Sequence, residues 1–128
     1  MWGYDECWHE AEYSPTVGMW RWTSERAQLR VVNATAAVAV TLSVETPQRY
    51  FDEPFSVRML AGDRLLDETT FASGDLWRVI VPLDALQEAN GRITLLTNRT
   101  FVPADKSGGG DQRRLGLRVF GVNIAFEH

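Results

Sequence analysis

Cysteine and long apolar runs are both scarce in this 128-residue chain, and each shortage excludes a class of protein. The single cysteine, Cys7, allows no internal disulfide, so we expect it to be a bystander in a fold that depends on its core. No apolar run approaches the ~20 residues of a membrane span, and the first residues lack the basic and apolar regions of a signal peptide. We therefore expect no transmembrane segment in this chain.

Positive charge is also in short supply. Thirteen lysines and arginines are outnumbered by 17 aspartates and glutamates, which gives a net charge of −4 and a pI near 5.1. A protein that binds nucleic acid mainly through phosphate contacts needs the opposite balance, so the composition argues against a nucleic-acid partner. Hydrophobic residues at 45% and charged residues at 23% are typical of a globular protein, and the length predicts one domain over residues 1–128.

The apolar residues that are present repeat with a period of two, which is the period of a half-buried β-strand. Residues 38–44 show this alternation most plainly, and at least four other segments repeat it. Residues 61–64 (Ala-Gly-Asp-Arg) predict a tight hairpin, whereas the only helical signal is residues 82–89, closed by Asn90 and Gly91. The sequence therefore predicts an all-β fold, an antiparallel two-sheet β-sandwich of about eight strands with little helix.

The last apolar segment predicts a local irregularity. Leu117 and Val119 occupy odd positions there, whereas Phe120 and Val122 occupy even ones, so the side-chain phase switches beside Gly121. One extra residue in a strand produces such a switch, and glycine is common at that position. We expect a β-bulge at this glycine.

Catalytic motifs are missing from the sequence, which contains no Ser-His-Asp order, glycine-rich phosphate loop or His-Glu-x-x-His. A glycosidase needs two carboxylates that flank one bond, and Glu10 and Glu12 share one face of an extended segment that Asp111 could approach. However, the chain has 17 acidic residues, so two of them are expected to lie close together by chance. Zinc would need three or four ligands, and Cys7 with His9 supplies two. We predict that the protein is not an enzyme and has no catalytic residue, metal or cofactor.

The segment Trp20-Arg21-Trp22 is the most specific binding signal. Alternation along a strand puts both indoles on one face and the arginine on the other. Either the indoles fill the core, which we expect of at least one, or an exposed indole stacks on the apolar face of a sugar ring. The sequence leaves both interpretations open.

Motifs at the two ends of the chain resemble a bacterial β-sandwich domain that is appended to cell-envelope glycosyltransferases. The opening motifs are Trp8-His9-Glu10-Ala11-Glu12, Met19-Trp20-Arg21-Trp22-Thr23-Ser24 and Arg26-Ala27-Gln28-Leu29. The closing motifs are Asn98-Arg99-Thr100-Phe101-Val102-Pro103-Ala104 and Asp111-Gln112-Arg113-Arg114-Leu115-Gly116. The resemblance covers residues 8–122, and Cys7 stands where the family has a glycine before the tryptophan.

This resemblance implies both a fold and a function. The domain is similar to the galactose-binding-like jelly rolls, which implies that this chain is a non-catalytic carbohydrate-binding module. The resemblance also implies that the module belongs to a larger membrane-associated protein and lies on the periplasmic or outer side of a bacterial cell. The alternatives are a structural or protein-interaction accessory domain and a small glycan-active enzyme. The candidate sugar-binding residues surround the family's opening motif and are Trp8, His9, Glu10, Arg21 and Trp22.

Asp111 and Arg113 extend the candidate site to the entrance of the final strand. On the structural interpretation, which we favour, Asp111 accepts backbone N–H bonds from the glycines at 108–110 and Arg113 pairs with Glu10 or Glu12. On the functional interpretation, the glycines let the loop close over a ligand and the charged pair grips sugar hydroxyls.

Overall fold

The computed structural model describes residues 2–4, 8–9, 11–15, 18–45, 56–70, 75–98 and 116–126. These residues form ten β-strands and one short helix. The strands are β1 (Trp2–Tyr4), β2 (Glu12–Ser14), β3 (Gly18–Trp22), β4 (Arg26–Val31), β5 (Val38–Glu45), β6 (Ser56–Ala61), β7 (Arg64–Thr70), β8 (Asp75–Val81), β9 (Arg92–Thr97) and β10 (Arg118–Phe126). Helix α1 (Leu83–Glu88) lies between β8 and β9.

The strands form two five-stranded antiparallel sheets that pack face to face. The strand order is β1-β4-β9-β6-β7 in sheet 1 and β2-β3-β10-β5-β8 in sheet 2. Both inner faces contribute to one core, in which Leu29, Met59 and Leu95 come from sheet 1 and Val40 and Leu42 from sheet 2. The chain is therefore an all-β sandwich, which confirms the predicted fold class.

Strand β5 shows how the sequence alternation produces this core. Val38, Val40, Leu42 and Val44 are each at most 1% exposed, and the residues between them point to the outer face of sheet 2. Burial of each such side chain stabilises the fold by roughly 1.5–3 kcal/mol. A strand with this pattern has one stable orientation, because turning it over would expose all four side chains.

The sequence predicts about eight strands, and the described residues form ten. The additional strands, β1 and β2, have three residues each and lie at outer edges of the two sheets. Three residues are too few to show alternation, so the pattern does not reveal them. The predicted hairpin is confirmed, since Ala61 pairs with Arg64 and Gly62 between them takes φ +61°, which glycine adopts without steric cost.

The predicted β-bulge in β10 is also confirmed. Val119 pairs with Val44 and Gly121 pairs with Ser43, so the register shifts between them and Phe120 is the extra residue. The shift lets the core-facing positions of β10 change from odd to even numbers along the strand, as the sequence pattern indicates.

Helix α1 covers one end of the sandwich. Ala85 and Leu86 are its buried residues and both join the core. The helix ends at the predicted Asn90-Gly91 turn, where the Gly91 N–H donates to the Leu86 carbonyl at 2.8 Å. Within the described ranges, no helix is both long and apolar enough to span a membrane.

Candidate functional site

Strand β3 distributes its side chains between the two faces of sheet 2. Residues that pair directly across an antiparallel ladder point to the same face. Arg21 pairs with Val119, which is 2% exposed in the core, so Arg21 points inward. Trp22 pairs with Arg118 and points outward, and Trp20 shares that outward face because it lies two residues earlier. The predicted separation of the indoles from the arginine is correct.

The expectation that at least one of these indoles fills the core is wrong. Trp20 and Trp22 are both half-buried, and neither packs against the core cluster. Register is the reason, because the inward positions of β3 belong to Met19 and Arg21. Met19 and its partner Tyr13 are 60% and 69% exposed, so this edge of sheet 2 extends beyond the core.

Four side chains meet on the outer surface of sheet 2, and we call them the aromatic face: Trp20, Trp22, Arg118 and Phe120. The guanidinium carbon of Arg118 lies 4.2 Å from the ring centroid of Trp20, 4.9 Å from that of Phe120 and 6.0 Å from that of Trp22. Each distance is within the range of cation–π attraction. A single cation therefore contacts all three rings of this surface.

The bulge lets β10 contribute to the aromatic face and to the core at once. Phe120 lies outward beside Arg118, whereas Val122 and Ile124 pack against the core. From the odd–even pattern of the sequence, Phe120 and Val122 are expected on the same face of β10. In the structure they point to opposite faces, because Phe120 itself is the extra residue of the bulge. Bulges are over-represented beside functional sites, where they redirect a side chain.

Two carboxylates flank the aromatic face. Glu12 Oε2 accepts a hydrogen bond from Trp20 Nε1 at 3.1 Å, and Glu45 Oε1 accepts one from Arg118 Nη1 at 3.4 Å. The Arg118 side chain is 16% exposed, and its Nε has no hydrogen-bond partner in the part of the chain that the structure describes. A buried donor left unpaired costs about 1–3 kcal/mol, so this surface carries a polar group with unused bonding capacity.

A floor of small or short polar side chains runs beside the aromatic face. Strand β8 borders the other side of this floor. Its residues Leu76 and Ile80 are 68% and 40% exposed, and they point to the outer surface of sheet 2 like their partners on β5. Strands lie about 4.8 Å apart, so three spacings separate β3 from β8 by about 14 Å. The outward row of β8 also contains exposed Arg78, which pairs with Thr41. We call the strip between this row and the aromatic face the trough, and its floor is formed by Ala39, Thr41, Ser43, Gly121, Asn123 and Ala125.

Two sequence-predicted candidates, Trp8 and Arg21, lie on the opposite side of β3 in a group that we call the inner cluster, which also contains Trp2 and Tyr4. The guanidinium carbon of Arg21 lies 4.4 Å from the Tyr4 ring centroid, and Tyr4 meets Trp8 and Trp2 edge-to-face at 4.9 and 5.5 Å. Trp8 packs against the core, and its Nε1–H donates to the Gln28 carbonyl at 2.7 Å. The inner cluster therefore connects sheet 1 to sheet 2.

The sequence-predicted site residues are divided between these two surfaces. Trp8 and Arg21 belong to the inner cluster, and His9 joins them through its carbonyl, which accepts a hydrogen bond from Arg21 Nη1 at 3.3 Å. Of the described candidates, only Trp22 lies on the aromatic face. The remaining candidates lie outside the described residues, and they are Glu10, Asp111 and Arg113.

The predicted set omits three members of the aromatic face. Trp20 carries a signal, because alternation places it on the same side as Trp22. Arg118 and Phe120 carry none that is local, since they lie near the other end of the chain and reach β3 only through the pairing of β3 with β10.

The aromatic face offers ring surfaces for stacking and charged groups for hydrogen bonding. Among the described residues, no group of three His, Cys, Asp or Glu side chains is placed to hold a metal ion. Comparison of the chain with protein-family models, with curated proteins and with solved structures finds no match.

Proposed function

We propose that this chain is a non-catalytic carbohydrate-binding module and that a sugar ring stacks on the aromatic face. The observation that carries this proposal is the outward position of Trp20, Trp22 and Phe120 around Arg118, outside the core. An aromatic ring complements the apolar C–H face of a pyranose, and charged groups at its border bond the hydroxyls strongly. Trp22 is the sequence-predicted residue that contributes directly.

The shape of the trough favours an extended glycan. Sites for small molecules are concave pockets that enclose most of the ligand. The trough is instead a broad strip of sheet surface, bordered by Trp20 and Trp22 on one side and by Leu76, Arg78 and Ile80 on the other. A glycan chain lying along it would contact several rings in succession, and the small floor residues leave space for it.

The strand order supports the resemblance to galactose-binding-like jelly rolls. Without the two short edge strands, sheet 2 has the order β3-β10-β5-β8 and sheet 1 has the order β4-β9-β6-β7. Strands that follow each other along the chain therefore lie in different sheets, except for β6 and β7, which form a hairpin. Connections that cross between sheets are characteristic of the jelly roll. A fold alone does not determine function, and the sugar site rests on its residues. The proposal includes the location that the resemblance implies, the periplasmic or outer side of a bacterial cell.

An array of bacterial cell-envelope glycans tests the proposed function. We expect specific hits, and we expect Trp22→Ala to weaken binding of the best one by at least about tenfold, or roughly 1.4 kcal/mol. Tyr13→Ala is the matched control, because Tyr13 is an exposed aromatic residue that points to the opposite side of sheet 2. An array without hits, or equal loss in the two variants, would contradict the proposal.

A protein-interaction module is the second candidate function. It is favoured by the exposed pair Tyr13 and Met19, which face each other across β2 and β3 at the edge of sheet 2. Exposed apolar side chains that lie together are typical of surfaces that bind other proteins. A glycan array without hits would favour this candidate over the first.

A further inference from the structure

Two arginines oppose each other on the outer surface of sheet 1. Arg30 of β4 pairs directly with Arg92 of β9, and both residues are exposed. Directly paired side chains have Cβ atoms about 4.5–5.5 Å apart, where like charges destabilise a sheet. The whole chain has a net charge of −4, so this pairing does not follow from a basic composition. An anion that lay between the two guanidinium groups would be attracted by both of them.

These arginines line a cleft of about 490 Å³ at the end of the sheet. Its other polar side chains are three amides, Asn33, Gln87 and Asn90. None of the described residues that line the cleft is acidic. The volume falls within the range of small-molecule sites, about 300–1,000 Å³.

The backbone holds the walls of the cleft together. The Val31 N–H donates to the Gly91 carbonyl at 2.8 Å, which joins the end of β4 to the turn after α1. Gly91 has φ +77°, and a Cβ at this residue would lie 1.9 Å from the Val31 carbonyl oxygen, so this close approach requires glycine. The cleft is therefore bounded by segments that are bonded to each other.

The strand beside Arg30 leaves space for a ligand. Gly3 of β1 pairs with Arg30 on the side away from Arg92. A Cβ built on Gly3 would meet no atom within 4 Å, so the surface next to Arg30 is open. A larger residue at this position would project its side chain beside the Arg30 side chain.

We propose that this cleft binds a sugar acid, meaning a pyranose ring that carries a carboxylate. Guanidinium groups such as those of Arg30 and Arg92 bind carboxylates in a planar, bidentate geometry. The amides of Asn33, Gln87 and Asn90 both donate and accept hydrogen bonds, as ring hydroxyls require. The cleft belongs to sheet 1 and the aromatic face to sheet 2, so this inference stands or falls independently of the proposed function.

Titration of the ¹⁵N-labelled protein with glucuronate tests this assignment. We expect saturable chemical-shift changes of the backbone amides of Asn33, Asn90 and Gly91. Glucose has the ring without the carboxylate, and inorganic phosphate has the charge without the ring. Each is expected to bind at least about tenfold more weakly than glucuronate, since each loses one set of contacts. Raising the salt concentration should weaken glucuronate binding to the unmodified protein, because exposed charges are screened.

Substitutions locate the site. Arg30→Gln and Arg92→Gln are each expected to weaken glucuronate binding by at least about tenfold. Arg26→Gln is the matched control, because Arg26 lies on the same strand and face as Arg30, is also exposed, and loses the same charge. The absence of saturable shifts, glucose or phosphate binding as tightly as glucuronate, or an equal loss in Arg26→Gln would each overturn the proposal.

Discussion

The aromatic face and the inner cluster are built from similar side chains and lie on opposite sides of β3. Each holds an arginine against an aromatic ring, Arg118 at 4.2 Å from Trp20 and Arg21 at 4.4 Å from Tyr4. They differ in what surrounds the rings. Trp8 packs against the core and its N–H is bonded to a backbone carbonyl, whereas the indoles of the aromatic face lie outside the core.

This difference shows that the direction of a side chain separates a structural aromatic residue from a candidate binding residue. In the inner cluster Trp2 and Trp8 pack against the core, whereas Tyr4, on which Arg21 stacks, is 40% exposed at the edge of sheet 1. An arginine stacked on rings at an outer surface leaves part of each ring accessible to solvent, although the Arg118 side chain is itself only 16% exposed. Neighbouring positions such as Arg21 and Trp22 therefore belong to different parts of the molecule.

The largest effect is expected from Trp8→Ala, because this ring connects the two sheets. We expect the free energy of unfolding to fall by about 2–4 kcal/mol, measured by urea denaturation. Trp8→Phe keeps a ring but removes the N–H donor to Gln28, and should cost less. Glycan affinity of the folded protein should be unchanged in both variants. Full stability of Trp8→Ala would mean that the inner cluster does not hold the sheets together.

Trp22→Ala is expected to show the reverse behaviour. The indole lies outside the core, so the free energy of unfolding should change by less than about 1 kcal/mol. Calorimetric titration with the best glycan from the array should show the loss of affinity already described. If Trp22→Ala and Trp8→Ala both lose stability and neither loses affinity, the sugar site lies elsewhere.

Deletion of Phe120 tests whether the bulge serves the aromatic face. The deletion should leave Val119 and Val122 facing the core, because it removes the residue that has no partner on β5. We expect a cost of about 1 kcal/mol in thermal unfolding, from the loss of one half-buried ring, together with weaker glycan binding. Deletion of Asn123 is the control, since it turns Ile124 away from the core and should cost about 2 kcal/mol. Equal costs would contradict this account of the bulge.

The smallest effect on stability is expected from Arg58→Gln, which removes an arginine to which we assign no stacking role. Arg58 pairs with Glu68 on the outer surface of sheet 1, and the two side chains are 59% and 48% exposed. Exposed ion pairs contribute little, so the free energy of unfolding should change by less than about 0.5 kcal/mol. A larger loss in chemical denaturation would show that surface arginines stabilise this fold without aromatic partners.

The sequence predicted features that depend on near neighbours along the chain. Alternation in at least five segments predicted about eight strands, and local patterns predicted the hairpin at residues 61–64 and the bulge beside Gly121. Alternation also placed Trp20 and Trp22 on one face but could not tell which face was inward. That direction depends on the register between β3 and β10, which joins distant parts of the chain, and the same pairing brings Arg118 to the indoles.

Titration of the five indole N–H signals with the best array glycan would show which side of β3 holds the sugar, since each tryptophan reports its own surroundings. We expect saturable shifts for Trp20 and Trp22, with little change for Trp2 and Trp8 of the inner cluster or for buried Trp77. Saturable shifts of Trp8 with static signals from Trp20 and Trp22 would contradict the proposed site and would move the sugar to the other side of β3.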